Sequence, residues 1–190
     1  MKKALSTLSI AVALFSSASF AADKYMLDSE LSSLSFATIK KQYIVEPATI
    51  DALTGTLDAQ GQFDVSVDLN SINTGIPIRN TRLNETFFES AKHVPVKVVG
   101  KVDWASLEKG SHKVKVPAEV TLFGKAKSVE FPVVILNAGD TVMVSSSAPV
   151  IIAASDFGIP SENLTNLAAT VGGIAISDQV PLTLNLTFKK

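Results

Sequence analysis

In the stretch FDVSVDLNSINTGIPIRNTRLNETFF, residues 63–88, two guanidinium groups, Arg79 and Arg82, precede the paired rings of Phe87 and Phe88. A planar fork of donors beside large apolar rings suits an amphipathic partner: the rings supply area, and a guanidinium can meet a phosphate or a carbonyl. Arg79 has a second reading, as an anchor tying the segment to backbone carbonyls or to an acid across the fold, with Arg82 solvated. Residue sets for bond-making chemistry are missing. The two histidines, His93 and His112, have no His, Cys or paired carboxylate at ligand spacing, so neither a metal site nor a catalytic set is expected. No G-x-S-x-G elbow, Walker loop or dinucleotide fingerprint occurs. His93, just ahead of Pro95, reads as part of a strand-entry loop.

The elements that must position these residues are strands. Phe63, Val65, Val67 and Leu69 alternate with Asp64, Ser66, Asp68 and Asn70, giving one dry face and one wet face. After Ser71-Ile72-Asn73-Thr74-Gly75 the alternation stops, and Ile78, Arg79, Arg82, Leu83, Phe87 and Phe88 recur at the spacing of a short helix or irregular crossing. The period of two recurs at Leu34–Phe36, Leu53–Leu57, Val96–Val102, Val114–Leu122, Val129–Ile135, Val142–Val144 and Val180–Phe188, with turn-forming residues between the runs. No second helix of comparable strength is expected. Asn163-Leu164-Thr165-Asn166, followed by Gly172-Gly173, reads as a long mobile loop, either a lid or a surface connection. About eight antiparallel strands form either a sandwich or a closed barrel, and a barrel of that size holds side chains or one ligand. Gly55 and Gly100, on inward faces, either leave room or mark bends in coiled strands.

Lys2 and Lys3, the uncharged run Ala4–Phe15 and the small-residue end Ser19-Phe20-Ala21 together read as a secretory signal peptide, residues 1–21, rather than a retained anchor. Residues 22–190 then form one domain. With no cysteine there is neither a lipidation site nor a disulfide, so a core must hold the fold. Loss of the two lysines takes the net charge from −1 to −3, which argues against nucleic acid as a partner.

Several landmarks occur in a telling order: Tyr25-Met26-Leu27-Asp28 with Ser33-Leu34-Ser35-Phe36; Leu53-Thr54-Gly55-Thr56-Leu57; the residue 71–88 segment; Leu122-Phe123-Gly124-Lys125-Ala126-Lys127; and Ser155-Asp156-Phe157-Gly158-Ile159. Along nearly the whole mature chain the sequence resembles the YceI-like family of periplasmic lipid-binding proteins. It departs at Asn80, where the family usually has an acid, and at Ala154, where an arginine commonly precedes the SDFGI element. The resemblance implies an all-β fold, a lipocalin-like closed antiparallel barrel of about eight strands with one short helical crossing. It further implies a non-enzymatic periplasmic carrier or store for an amphipathic isoprenoid-type lipid, a quinone or polyprenyl derivative, with no cofactor beyond such a lipid.

Combined with the strand pattern, this makes Phe36, Phe63, Val65, Val67, Phe87, Phe88, Val98, Val120, Phe131, Val133, Phe157 and Leu184 the expected lipid contacts, with Arg79 at the head group. The expected partner is a hydrophobic small molecule, without nucleic acid or stable membrane insertion; a homodimer remains open. Two alternatives stand beside the carrier: a stress-related interaction module with a filled core, and a hydrolase or isomerase of such lipids. The exported product should begin at Ala22, and its intact mass checks this: a membrane-bound product retaining Lys2 and Lys3 would contradict a freely diffusing carrier.

Overall fold

The computed structural model describes residues 24–93 and 95–190; the signal-peptide expectation for residues 1–21 lies outside them. The chain runs through β1 (Lys24–Leu27), β2 (Ser33–Lys40), β3 (Ile44–Ile50), β4 (Leu53–Asp58), β5 (Gln62–Val67) and β6 (Ile72–Asn73). Helix α1 (Pro77–Arg82) and a π-helical turn (Leu83–Phe87) follow, then β7 (Val96–Lys101), β8 (Gly110–Leu122), β9 (Lys125–Asn137), β10 (Thr141–Ser146) and β11 (Val150–Ala153). Helix α2 (Ser161–Ala169) and β12 (Gln179–Lys189) complete the described chain.

Every pairing is antiparallel, and eight strands close into a ring in the order β12, β1, β4, β5, β7, β8, β9, β10 and back to β12. The remaining segments continue ring strands past a break. β1 leads into β2 across a 3-10 turn at Ser29–Leu31, β3 into β4 across Asp51-Ala52, β5 into β6 across a turn at Leu69–Ser71, and β10 into β11 across Ser147–Pro149. The eleven-residue β12 spans both levels. Phe188 faces Leu27 and Val142 where the ring closes, whereas Leu182 faces Phe36 and Val150 above the breaks. One end is shut by Val102 and Leu107, both buried, and by Tyr25, whose hydroxyl donates to the Gly139 carbonyl at 2.8 Å. The helices lie at the other end, which is the mouth.

Local sequence explains the pieces. In β8 the residues from Lys115 to Val120 alternate strictly between exposed and buried, the period expected when one face lines an interior. The β8–β9 hairpin turns on Phe123 and Gly124, both at positive φ (53° and 77°), which gives the strand-matching twist of a two-residue hairpin. Pro77 stands at the start of α1, where its missing N–H costs nothing. The helix then widens: Phe88 N–H donates to the Leu83 carbonyl at 2.8 Å, a five-residue spacing.

One expectation is corrected and one open reading is resolved. Residues 163–166 belong to the nine-residue α2, not to a loop. The helix buries Leu167 and half-buries Leu164, but polar Glu162, Asn163, Thr165 and Asn166 surround these leucines, so the apolar stripe is too thin to read as a helix. The inward glycines, in turn, leave no open room. A Cβ at Gly55 would come 2.6 Å from the Asp64 carbonyl oxygen, and one at Gly100 would come 2.5 Å from Phe63 Cζ and 2.8 Å from the Pro117 carbonyl oxygen.

Gly100 therefore seats the Phe63 ring. Gly100→Ala should cost about 1–3 kcal/mol through overpacking. Adding Phe63→Leu should recover part of the loss, because the shorter side chain vacates the place of Cζ. Thermal melts of the two variants check this: an undiminished melting temperature in the single variant would contradict the close approach.

Candidate functional site

The inward faces of the strands surround an apolar cavity of roughly 220 Å³ that runs from the closed end to the helices. Phe36, Phe63, Val65, Val67, Phe87, Phe88, Val98, Val120, Phe131, Val133 and Leu184 all line it. The breaks in the long strands create this space, since above them the wall is carried by β2, β3, β6, β11 and the first half of β12. Val98, Leu182 and Leu186 point inward yet are only partly buried, as expected for side chains that face a void. Phe87 and Phe88 meet edge to face, with centroids 4.8 Å apart, at the mouth.

Phe157 and Arg79 do not line the cavity. Phe157 is fully buried in the 3-10 turn Ala154–Phe157. Arg79 Nη2 donates to Glu46 Oε1 at 2.8 Å, while Lys40 Nζ stands 2.5 Å from the other carboxylate oxygen of Glu46. Glu46 is the register partner of Thr38, a lining residue, so this ion cluster sits on the cavity side of the β2–β3 sheet as it leaves the barrel. One carboxylate between two part-buried cations binds α1 to β3.

The lining also includes residues that the strand pattern does not single out: Ile152, Ile159, Leu164, Leu167, Ile176 and three polar groups, Thr38, Ser177 and Asp178. Ile176 is placed by a bridge to Lys40, flanked by Lys41 N–H donating to the Ala175 carbonyl and Ser177 N–H to the Ile39 carbonyl. Asp178 accepts a hydrogen bond from Ser155 Oγ at 3.0 Å. Ile159, Leu164 and Leu167 enter with the turn and helix that follow Ala154.

The helices are stitched to each other by polar contacts. Asn163 Nδ2 on α2 donates to the Phe87 carbonyl at 2.9 Å and to Glu89 Oε2 at 3.3 Å. Hydrogen bonding from Lys92, then from Asn163, holds the Glu89 carboxyl below its ordinary value. That contribution is present above the ordinary glutamate range and is lost only as pH falls through the lowered value. Asn80 supplies through its amide oxygen an acceptor for Thr74 N–H at 3.0 Å and Thr74 Oγ1 at 2.6 Å. Ala154 lines the cavity and carries no charge into it.

Among the described residues no three His, Cys, Asp or Glu side chains converge to hold a metal. His93 stacks on Phe123 with centroids 3.7 Å apart, beside the β8–β9 hairpin, and is not among the cavity residues. A large void with this lining suits uptake of a hydrophobe: even an apolar cavity of about 150 Å³ stays dry and admits a hydrocarbon.

A closed antiparallel barrel around such a cavity defines a lipocalin-like protein. The YceI-like domain model matches residues 25–188, and the chain belongs to the YceI-like family. A polyisoprenoid-binding domain from Saccharophagus degradans, implicated in plant cell wall breakdown, is 29% identical, with a TM-score of 0.80 over 87% of this chain and 97% of its own. BcnA of Burkholderia cenocepacia shares the fold at 18% identity, with a TM-score of 0.65 over 85% of this chain and 98% of its own. No curated protein matches the chain.

Because Arg79 is spent on Glu46, Arg79→Ala should lower stability by about 1–2 kcal/mol, a part-exposed charge pair being worth less than a buried one. It should also weaken binding of an amphiphile and of its head-less hydrocarbon alike. Melting temperature and paired titrations check this. Weakening confined to the head-bearing ligand would instead assign Arg79 to recognition.

Proposed function

We propose that this protein is a periplasmic carrier or store for an amphipathic isoprenoid-type lipid, a quinone or a polyprenyl derivative, held in the barrel without being transformed. The observation that carries the reading is the continuous apolar cavity, reached at the mouth by only a few polar groups. Apolar lining supplies affinity and sparse polar contacts set orientation. For an isoprenoid tail each buried CH₂ contributes roughly 0.8 kcal/mol, so ten such groups can offset the cost of association. The polyisoprenoid binding of the Saccharophagus degradans domain supports the same ligand class. In this reading Phe36, Phe63, Val65, Val67, Phe87, Phe88, Val98, Val120, Phe131, Val133 and Leu184 hold the tail, and the hydroxyls of Thr38 and Ser177 face a carbonyl or phosphate head.

A filled-core module is disfavoured by the open interior, and a hydrolase or isomerase finds less support, since the one hydroxyl–carboxylate pair at the lining, Ser155 with Asp178, has no histidine among the lining residues to complete it. The periplasmic assignment rests on the amino-terminal pattern of residues 1–21 and on the family. Among the described residues no helix is long and apolar enough to cross a membrane.

Native mass spectrometry of protein purified from its own compartment should show a co-purifying lipid that is released unchanged. Val133→Trp should then remove uptake while β-rich circular dichroism persists, because Val133 is 1% exposed, lines the void, and an open interior absorbs the added ring. A filled interior would respond with about 1–3 kcal/mol of overpacking instead. Marked destabilisation with uptake intact would sink the carrier reading.

A further inference from the structure

We propose that the tip of the β2–β3 hairpin, with α1 beside it, docks on an anionic lipid bilayer and brings the cavity mouth to the membrane. The proposal rests on the reading of the cavity as a lipid site, since such a ligand must leave and re-enter a bilayer. Residues Lys41 to Val45 are all exposed, and they include Tyr43 at 76% and Val45 at 61%. On α1, Ile78 is 55% exposed, and Ile76, just before the helix, is exposed as well. The Arg79–Glu46 contact and the pairing of β6 with β3 bring these two apolar groups to the same end of the barrel.

Three features fit a bilayer. The first is chemical: a tyrosine beside aliphatic side chains suits the membrane–water interface, where the ring is buried and the hydroxyl stays wet. The second is charge. The chain as a whole carries a net charge of −1, yet Lys40, Lys41, Arg79 and Arg82 gather here. Of the acids at this end, Glu46 is already held by Lys40 and Arg79, Asp178 accepts from Ser155, and Glu89, paired with Lys92, and the exposed Glu162 lie at the α2 side of the mouth, which leaves the exposed Glu85 on the α1 side. Long cationic stems around an apolar tip let the heads reach lipid phosphates while the tip enters the acyl boundary.

The third feature is continuity with the cavity. β2 supplies Leu34, Phe36 and Thr38 to the lining and, two residues further along the same face, Lys40 to the tip. A ligand leaving the cavity along β2 therefore meets apolar wall, then a hydroxyl, then the Lys40–Glu46–Arg79 cluster, with the exposed Lys41 beyond it at the tip. Lys24, the first described residue, pairs with Asp58 at the opposite end of the barrel.

The full chain is tested by co-sedimentation with phosphatidylglycerol vesicles and with phosphatidylcholine vesicles. Binding to the former is expected, weaker on the latter and weakened by added salt. The double variant Tyr43→Ser/Val45→Ser should lose about tenfold in partitioning, as expected from the apolar area removed. Met143→Ser removes an exposed apolar side chain from the barrel wall and should change nothing. Uptake of diphenylhexatriene from solution by the double variant should stay at the unsubstituted level, while its transfer from vesicles slows.

Absence of vesicle binding, equal loss in Met143→Ser, or undiminished binding by the double variant would overturn the docking proposal. So would a change confined to self-association, which would assign the patch to a second copy. Failure of the carrier reading looks different: diphenylhexatriene is not taken up, yet vesicle binding persists and is still lost in the double variant.

Discussion

The structure depends on β12 having partners along both edges at two levels. Near its end it closes the ring between β1 and β10; nearer its start it carries β2 on one side and β11 on the other. A strand paired on both sides leaves no row of open donors and acceptors, and closure extends that protection around the barrel. Because the partners change midway, the wall above the breaks need not follow the circumference below them. The cavity is the geometric result, and the mouth helices are what cover the wider end.

Much of this was legible from alternation. The dry face of β5 and the registers of β7 to β9 are written as period-two apolar residues, and they correctly marked Val65, Val98, Val120 and Val133 as inward. The crossing at Arg79 and the paired phenylalanines was legible because its spacing breaks that period. What alternation cannot convey is a break inside a strand. β3 is not among the alternating runs at all, and only pairing partners reveal that it and β4 are two levels of one wall.

The less legible parts share a physical cause: their positions are set by neighbours distant in sequence. Helix α2 offers two leucines in a polar setting, and it forms against the π-helical turn through Asn163. Ile176 enters the lining because backbone groups beside it reach β2, in a glycine-rich stretch without a hydrophobic pattern. Arg79 left two readings open in the sequence; its partner, Glu46, lies on β3, more than thirty residues earlier, and Arg79 held there is outside the lining. The inward glycines were visible, but whether their space stood empty depended on the Phe63 ring.

The pairing of Met26 with Lys189 joins the two ends of the described chain in the ring that defines the fold. No amino-terminal fragment can close it, because the last strand is the staple. Long-range pairings of this kind carry a high contact order, and their loop-closure entropy must be met before the contacts reward it. Until β12 is in place the ring stays open, and the free edges of β1 and β10 have no partner in it.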